Sequence, residues 1–490
     1  MRTTSLLPVF VTLFPMLMTI GVAYVAREST RLRNHLVVFT TVVTFVAAVA
    51  MYPAVIRGEL LVLELFEILP GLGFVGSFRV DLLSLCLVLI SSFVWMLATI
   101  YSLAYMKHGH SQNRYYSTLT LTLGSCMGIF TAGDFFTLFI FFELMSVIAY
   151  VLVVHEETAE ALKAGYKYII VTIIGGLSLL LGVINTYEIS GSLSLDAGTL
   201  ITEPSGLALA TFIAFLVGFG MKAGMFPLHV WLPDAHPVAP APASALLSGI
   251  MLKTGAYGLF RVVFTVFSPE LLIETGWILI MAVLGIITII LGSAVALTQF
   301  ELKRRLAYSS IGQMGYVLLG LSVLRETAIV GAVFHIFSHA FMKSCLFLCA
   351  GAIIHKTGER DVRKMAGFGT KMPYTFAAFS VAALAMIGIP PLNGFLSKWN
   401  LALGALDGEH VTYVGVLLLS SLLNGLYYLP IIIIAFFGDA HDMKRDETSK
   451  LMLWPILILA AACFVFGISP LNILYELSQF TAAMLMNGGL

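Results

Sequence analysis

Apolar segments separated by short polar stretches follow one another along nearly the whole chain. A run of about 20 apolar residues is the length that a helix needs to cross the hydrocarbon core of a bilayer. The pattern therefore predicts fourteen membrane-spanning helices. They lie near residues 6–26, 35–56, 80–104, 117–132, 134–154, 166–187, 207–235, 243–266, 272–298, 305–324, 327–354, 375–403, 411–437 and 452–470.

The connecting segments alternate in their content of basic residues. Eighteen lysines and arginines lie in the segments 27–33, 107–114, 163–167, 303–305, 356–371 and 444–450. The opposite segments and the N-terminal tip carry only Arg2, Arg57, Arg79 and Arg325. Acidic residues also collect there, such as Glu59, Glu64, Glu67, Glu188, Asp196, Glu203, Asp407 and Glu409. Basic loops stay on the inner side of a membrane, so the alternation predicts that both termini face outward.

The amino-acid composition also indicates a protein that is embedded in a lipid bilayer. Hydrophobic residues make up 59% of the chain and charged residues 11%, and the mean hydropathy is +0.96. The formal net charge is zero, which gives no reason to expect a nucleic-acid partner. The five cysteines fall inside apolar segments and form no CxxC pair, so we predict no metal and no cofactor. Without a long soluble domain, redox chemistry must belong to another chain.

Four lysines and one carboxylate stand out among the charged residues of the predicted spans, because they lie inside long apolar stretches: Lys222, Lys253, Lys343, Lys398 and Glu143. A charge at the centre of a transmembrane helix costs about 2.5 to 3.5 kcal/mol on insertion scales. Residues of this kind commonly line an ion path. The competing interpretation is that a lysine extends its head group to the interface, and this alternative applies best to Lys398, which lies nearest the outward end of its span.

Two spans share the same kind of interruption, in which glycines and prolines stand beside a lysine. Span seven contains Gly218, Gly220, Gly224 and Pro227, and span twelve contains Gly388, Pro390, Pro391 and Gly394. Both helices are predicted to break within the membrane. The two spans run in opposite directions and lie five spans apart, as expected for inverted five-helix repeats. The predicted divisions are 1–116 (helices 1–3), 117–266 (helices 4–8), 267–437 (helices 9–13) and 438–490 (helix 14 and tail).

A ladder of titratable groups follows one face of span eleven. His335, His339 and Lys343 stand at i, i+4 and i+8. Two histidines four residues apart can share a zinc ion, but no carboxylate or thiolate accompanies them and Lys343 would repel the cation. A third interpretation is that the histidines are simply hydrogen-bonded inside the bundle.

Other polar residues receive different interpretations. Asp81 and Asp134 open their spans, where a helix-starting carboxylate is ordinary and structural. An intramembrane enzyme would draw on His229, Asp234 and His236, but their spacing matches no nucleophile or metal arrangement. A solute transporter would gather its polar groups around one pocket, whereas here the titratable groups are spread over spans 5, 7, 8, 11 and 12.

Four ordered motifs carry a resemblance to a known family. They are Met221-Lys222-Ala-Gly with Pro227-Leu-His-Val-Trp-Leu-Pro-Asp-Ala-His-Pro, Ser244-Ala-Leu-Leu-Ser-Gly-Ile-Met-Leu-Lys253-Thr-Gly-Ala-Tyr, His339-Ala-Phe-Met-Lys343-Ser-Cys-Leu-Phe-Leu, and Gly388-Ile-Pro-Pro-Leu-Asn-Gly-Phe-Leu-Ser-Lys398. The chain resembles the antiporter-like membrane subunits of respiratory complex I, of membrane-bound hydrogenases including formate hydrogenlyase, and of Mrp-type sodium/proton antiporters.

The resemblance implies an all-α integral membrane subunit of fourteen helices, with inverted repeats, discontinuous helices 7 and 12, and a hydrophilic axis at mid-membrane. It implies proton-transfer roles for Glu143 and Lys222 as the interacting pair of the first half-channel, for Lys253 as the bridge, and for His335, His339 and Lys343 leading to the terminal Lys398. Some complex I members have glutamate at this last position. The long lateral helix of the largest complex I member has no counterpart in the residues after Pro470.

The expected function is therefore that of a proton-translocating membrane subunit in a redox-driven complex, either a complex I-like NADH/quinone oxidoreductase or an energy-converting hydrogenase. The expected location is an energy-coupling membrane, the prokaryotic cell membrane. The partners implied are other membrane subunits, including related antiporter-like subunits, the lipid bilayer and protons, with sodium left open. The alternative is a subunit of the Mrp D type in a multisubunit sodium/proton antiporter.

Overall fold

The computed structural model describes residues 1–25, 29–69, 74–196, 198–439, 444–468 and 473–487. In these ranges the chain forms twenty α-helices and three strands. The first ten helices are α1 Leu7–Val25, α2 Thr30–Ile56, α3 Leu82–Tyr105, α4 Gln112–Thr131, α5 Phe135–Val153, α6 Ala159–Ser190, α7 Gly206–Ala223, α8 Leu232–Val238, α9 Ala241–Leu246 and α10 Leu252–Arg261. The others are α11 Pro269–Glu274, α12 Ile278–Thr298, α13 Leu302–Val323, α14 Glu326–Thr357, α15 Phe368–Lys371, α16 Pro373–Ile387, α17 Asn393–Asp407, α18 Val411–Phe437, α19 Lys450–Val465 and α20 Ile473–Met486.

Eleven helical segments of the described ranges are long and apolar enough to cross a membrane. Helix α4, the α16–α17 pair and α19 occupy the positions of the remaining predicted spans. The predicted multi-pass helical architecture is thus confirmed, while the count of fourteen, the inverted repeats and the four divisions stay predictions. The ends of the first and last predicted spans, at residues 26 and 469–470, lie outside the described residues.

A small β-sheet accompanies the helices, which the pattern of apolar segments does not predict. Strands β1 (Arg2–Thr4), β2 (Leu60–Leu69) and β3 (Phe74–Val80) form a sheet in the order β1-β2-β3. Strand β1 pairs with β2 in parallel, Arg2 opposite Leu60, and β2 pairs with β3 in antiparallel, Leu61 opposite Val80. The run 60–69 is apolar, but it is too short to cross a bilayer as a helix and is long enough for a strand.

A second difference lies in the predicted tail, because α20 is a helix of 14 residues. It packs on the central helix α14, where the Phe334 and Tyr475 rings lie 5.6 Å apart. The Tyr475 hydroxyl also donates to Asn400 Oδ1 at 3.0 Å. The tail therefore belongs to the helical bundle.

Both predicted helix breaks are present. Helix α7 ends at Ala223, and Gly224 follows in the left-handed region at φ +74° before the chain resumes as a single turn and then α8. Helix α16 ends at Ile387, and Gly388 at φ +94° precedes α17. A positive φ is open to glycine at little steric cost, so each glycine ends its helix at the point where the chain must turn.

Burial separates the inner helices from the outer ones. The most apolar window of α14 and that of the segment Ala241–Val266 are 100% buried within the protein, against 28% for α1 and 33% for α18. Large apolar side chains such as Leu177 of α6 and Leu418 of α18 remain exposed. A lipid solvent favours apolar side chains on the outer faces of the helices and polar side chains in the centre of the bundle.

Ion pairs hold the loops of each end of the bundle together. At the basic end, Asp234 pairs with Lys167 at 2.7 Å and with Arg304. At the other end, Asp196 binds Arg79 at 2.6 Å and Arg2 at 3.3 Å. The two groups of loops that the sequence separates by basic content therefore gather at separate ends.

Two carboxylates start helices, as expected for structural residues. Asp81 accepts from the Ser84 backbone N–H at 3.0 Å, and Asp134 accepts from the Thr137 backbone N–H at 2.7 Å. Asp81 also receives two hydrogen bonds from Arg261, at 2.7 and 2.8 Å. These contacts fix the ends of α3 and α5, where a side-chain acceptor satisfies a free backbone N–H.

Candidate functional site

Lys222 lies in the last turn of α7, directly before the break, and is fully buried. Its ammonium donates to the Tyr168 hydroxyl at 2.9 Å and lies 5.0 Å from the centre of the Tyr168 ring. The Tyr168 hydroxyl in turn donates to the carbonyl of Ser146, also at 2.9 Å. A tyrosine of α6 thus holds the lysine of α7 and contacts the backbone of α5.

Glu143 faces the same region from α5 without forming an ion pair with Lys222. Its carboxyl lies against Gly176 of α6, where an added Cβ would come within 2.6 Å of Cδ. Glu143 Oε1 has no hydrogen-bond partner among the described residues, although the charges of Glu143 and Lys222 act on each other. The structure brings the predicted pair into one neighbourhood, with the Lys222 ammonium bound to Tyr168 instead of to the carboxylate.

Lys253 contacts the histidine ladder directly. Its Nζ lies 2.7 Å from His339 Nδ1 and donates to the carbonyl of Ser248 at 2.7 Å. Ser248 belongs to a widened turn, Leu247–Met251, between α9 and α10. Such turns disturb the regular helical hydrogen bonds and occur often at functional sites. The contact joins α10, in the first predicted repeat (117–266), to α14, in the second (267–437).

The two histidines stand one above the other on α14, as the spacing predicts. Their rings lie 5.9 Å apart and nearly parallel, and both residues are fully buried. His335 Nδ1 shares a hydrogen bond of 2.9 Å with Ser397 Oγ on α17. In the part of the chain that the structure describes, no group of three histidine, cysteine, aspartate or glutamate side chains could hold a metal ion.

Lys343 continues the α14 ladder but points away from the histidines. Its Nζ donates to the carbonyl of Leu306 at 2.9 Å, to Ser309 Oγ and to the Tyr428 hydroxyl at 3.3 Å. These partners lie on α13 and α18. Lys343 therefore forms a side branch towards α13 and not a step on a straight line to Lys398.

Lys398 is placed by the second break. Its Nζ donates to the carbonyls of Met386 at 2.8 Å and Ile387 at 3.0 Å, which are the last two residues of α16. Carbonyls at a helix C-terminus lack partners in the helix and carry partial negative charge, so they suit an ammonium. Lys398 is only 8% exposed. Its head group binds inside the protein, which removes the interpretation that it extends to the interface.

Tyr316 is a second tyrosine that sequence reasoning missed. Its ring lies 5.4 Å from the His335 ring and 5.0 Å from Lys398 Nζ, so it connects the ladder to the terminal lysine. Tyr316 and Tyr168 are both buried and both contact a lysine beside a helix break. No sequence signal marks them, because tyrosine fits an apolar helix face as readily as a polar path.

The histidines and aspartate of the motif near residue 230 do not form a catalytic group. Asp234 is held in the ion pairs at the basic end. The His236 ring is fully buried against Phe347, with ring centres 4.6 Å apart, while His229 stacks on Phe226 at 5.9 Å. Each residue therefore has its own separate environment.

The seven predicted residues come from α5, α7, α10, α14 and α17. Direct contacts join Lys253 to His339, His339 to His335, and Tyr316 to both His335 and Lys398. We call these seven residues, with Tyr168 and Tyr316, the axis. Its centre is the direct contact of Lys253 with His339. Titratable groups that follow one another on separate helices can pass protons from one to the next. A single closed binding pocket would not need titratable groups on so many helices.

A family described as "NADH:quinone oxidoreductase/Mrp antiporter, TM" matches residues 132–424, more than half of the chain. The chain belongs to this family. A second family, described as "NADH-Ubiquinone oxidoreductase (complex I), chain 5 N-terminus", matches residues 70–116. The matches confirm the resemblance expected from the four motifs and cover both the break in α7 and that after α16.

Individual relatives come from both branches of the family. The chain is 32% identical to NADH-quinone oxidoreductase subunit N of Desulforudis audaxviator, over 97% of this chain and 98% of that protein. It is 33% identical to the D-type protein of the Na(+)/H(+) antiporter of Alkalihalophilus pseudofirmus, over 79% of each. A chain of the Mrp complex from Dietzia sp. DQ12-45-1b has the same fold, with a TM-score of 0.89, 24% identity and coverage of 99% and 98%. The protein is thus a multi-pass membrane subunit of the antiporter-like type.

Proposed function

We propose that this chain translocates protons along the axis as a membrane subunit of a redox-driven complex, either complex I-like or hydrogenase-like. The observation that supports this most strongly is the 2.7 Å contact between Lys253 Nζ and His339 Nδ1. It joins a titratable group of the first predicted repeat to one of the second, and both residues are buried. A buried contact of two such groups has few purely structural uses in a membrane.

The first step of the proposed mechanism occurs at Lys222. A buried ammonium is disfavoured by its low-dielectric surroundings and favoured by a nearby carboxylate. Movement of Glu143 towards or away from Lys222 would therefore change whether this lysine holds its proton. The Tyr168 hydroxyl accepts a hydrogen bond from the ammonium, so it stabilises the protonated form of Lys222.

The second step is passage between Lys253 and His339. If Lys253 is an ammonium, it donates to a neutral His339; if the proton has moved, the imidazolium donates to a neutral amine. Each arrangement contains one transferable proton and one hydrogen bond. His335, Tyr316 and Lys398 extend the path to the second break. Each charge moved against 100 mV costs about 2.3 kcal/mol, which another protein of the complex must supply from a redox reaction.

We place the basic-loop end on the inner side of a prokaryotic cell membrane, which puts both termini outside. The excess of lysine and arginine in these loops supports this orientation. Met1 and Met484 line one cavity together with Asp81, which supports placing both terminal segments on the same side.

The alternative function is that of a D-type component in a multisubunit sodium/proton antiporter. The relative of that type, at 33% identity, supports it. The two functions differ in the energy source. Proton movement that requires a reductant supports the first, whereas proton movement that requires a sodium gradient supports the second.

The experiment replaces the two residues of the first step in the native complex. Lys222→Ala and Glu143→Ala should each abolish coupled proton pumping, measured by a pH-sensitive dye in inverted membrane vesicles, while the complex remains assembled. Lys107→Ala is the matched control, because Lys107 is an exposed lysine of the same chain. Normal pumping in an assembled Lys222→Ala variant would overturn the proposal.

A further inference from the structure

A cavity of about 740 Å³ lies at the basic-loop end of the bundle, away from the axis. Charged side chains from α6, α8, the start of α13 and the loop after α14 line it: Glu160, Lys163, Lys167, Asp234, Glu301, Arg304 and Arg360. Its three carboxylates differ in their surroundings. Asp234 is bound by Lys167 and Arg304, so its charge is already neutralised by cations.

Glu301 is half-buried, whereas Glu160, in the first turn of α6, is exposed. Glu301 directly precedes α13, and its Oε1 is buried with no hydrogen-bond partner among the described residues. Its backbone position is fixed, because Leu302 N–H donates to the carbonyl of Arg360 at 2.9 Å. Burial raises the pKa of Glu301 above its usual value, while the charges of Lys303, Arg360 and Arg304 oppose this shift.

The cavity wall leads inward to His236. Pro237 and Val238, the two residues after His236, line the same cavity as Glu301. Both nitrogens of the His236 ring are buried with no hydrogen-bond partner in the described part of the chain. A buried imidazole without hydrogen bonds is energetically costly, because its nitrogens have lost their hydrogen bonds to water. Such a residue therefore calls for a functional explanation.

His236 in turn contacts α14 one helical turn from Lys343. Its ring stacks on Phe347, which follows Lys343 by one turn on the same face of α14. From the cavity side, Lys303 Nζ donates to the carbonyl of Ala239 at 2.7 Å. The charges of both lysines act on the His236 ring. His236 therefore stands between a wall of the cavity and the helix that carries Lys343.

We propose that Glu301 takes up protons from the solvent in this cavity and passes them through His236 to Lys343. In one transfer, the protonated Glu301 carboxyl loses its proton and becomes a carboxylate, His236 accepts one proton and releases one, and the neutral Lys343 amine becomes an ammonium. Lys303 acts as a positioning residue, because its ammonium stabilises the carboxylate that remains. This inference rests on the proposed function, since Lys343 belongs to the axis.

The test compares variants of the assembled native complex in inverted vesicles. Glu301→Gln preserves shape but cannot titrate, and we expect proton uptake to fall about 100-fold, within the range that one positioned acid or base contributes. Glu301→Asp should retain uptake and shift the pH at which its rate is half-maximal. Glu203→Gln, at an exposed glutamate outside the cavity, should match the wild type. His236→Phe should keep the stacking on Phe347 and lose uptake like Glu301→Gln.

Wild-type uptake in assembled Glu301→Gln would overturn the inference. Equal defects in Glu301→Gln and Glu301→Asp with an unchanged pH profile would also overturn it, because they would show a structural role alone. Lys222→Ala in the same membranes separates this inference from the proposed function. If Lys222→Ala stops pumping while Glu301→Gln pumps normally, only the uptake path is wrong; if Lys222→Ala pumps normally, the proposed function is wrong as well.

Discussion

The hydroxyl of Tyr168 should control proton transfer at Lys222. Tyr168→Phe removes the acceptor that lies 2.9 Å from the Lys222 ammonium and keeps the ring that lies 5.0 Å from it. A hydrogen bond to a charged group contributes about 1.5 to 3 kcal/mol. Since each 1.4 kcal/mol corresponds to about a factor of ten, loss of this bond should lower the rate of proton translocation about 10- to 100-fold.

The assay is dye-monitored proton uptake into inverted vesicles that contain the assembled complex. Tyr166→Phe is the control, because Tyr166 lies on the same helix, two residues away, and its side chain is 68% exposed. This variant also loses a hydroxyl, but no buried lysine depends on it. We expect wild-type uptake in Tyr166→Phe and the same amount of assembled complex in all samples.

A rate in Tyr168→Phe within twofold of the wild type would show that the Tyr168 hydroxyl does not control proton transfer at Lys222. The hydrogen bond between the two residues would then not affect the protonation of Lys222 during turnover. Lys222 would then have to interact with Glu143 without the tyrosine.

Three further predictions follow from particular contacts. Gly176→Ala should displace the Glu143 carboxyl and reduce pumping, because a Cβ there would come within 2.6 Å of Cδ, whereas Gly415→Ala in α18 meets nothing within 4 Å and should pump normally. His155, in the loop after α5, has its pKa lowered to about 4 by burial and by Arg114, so the unfolded chain binds more protons between this pH and about 6.5. The thermal unfolding midpoint should therefore fall as the pH is lowered through this window, and less so in His155→Gln. Asp81→Ala leaves two buried arginines without their shared partner and should lower the free energy of unfolding by about 3 to 5 kcal/mol, measured by chemical denaturation in detergent.

Hydropathy and glycine positions were enough to predict most of the helical architecture. The breaks after Ala223 and Ile387 were predicted from the glycines and prolines beside Lys222 and Lys398. The hairpin of β2 and β3 was missed, because a window that measures hydropathy does not separate an apolar strand from part of a helix.

The candidate site was predicted in its charged residues but not in how they are connected. Charges inside apolar spans are conspicuous in a sequence, so Lys253 and His339 were identified, and the helical spacing placed His335 in line with His339. The two tyrosines carry no such signal, because an apolar aromatic ring is common on any buried helix face. The direction of Lys343 towards α13 depends on packing between helices that are distant in sequence.

Glu301 shows why a cavity residue is hard to find from sequence. A glutamate before a helix, among basic residues, is typical of an ordinary solvated loop. Its burial arises only when the segment 360–362 pairs with residues 300–302 and closes over it.

The contact of Lys253 with His339 is the step through which we expect protons to cross the protein. Its direct test is the number of protons translocated per catalytic turnover by an assembled Lys253→Met complex, in comparison with the wild type and with Lys107→Met. Methionine keeps most of the side-chain volume and removes the titratable amine. We expect Lys253→Met to lose the share of protons carried by this protein and Lys107→Met to retain it; an unchanged ratio in Lys253→Met would show that protons do not need this contact.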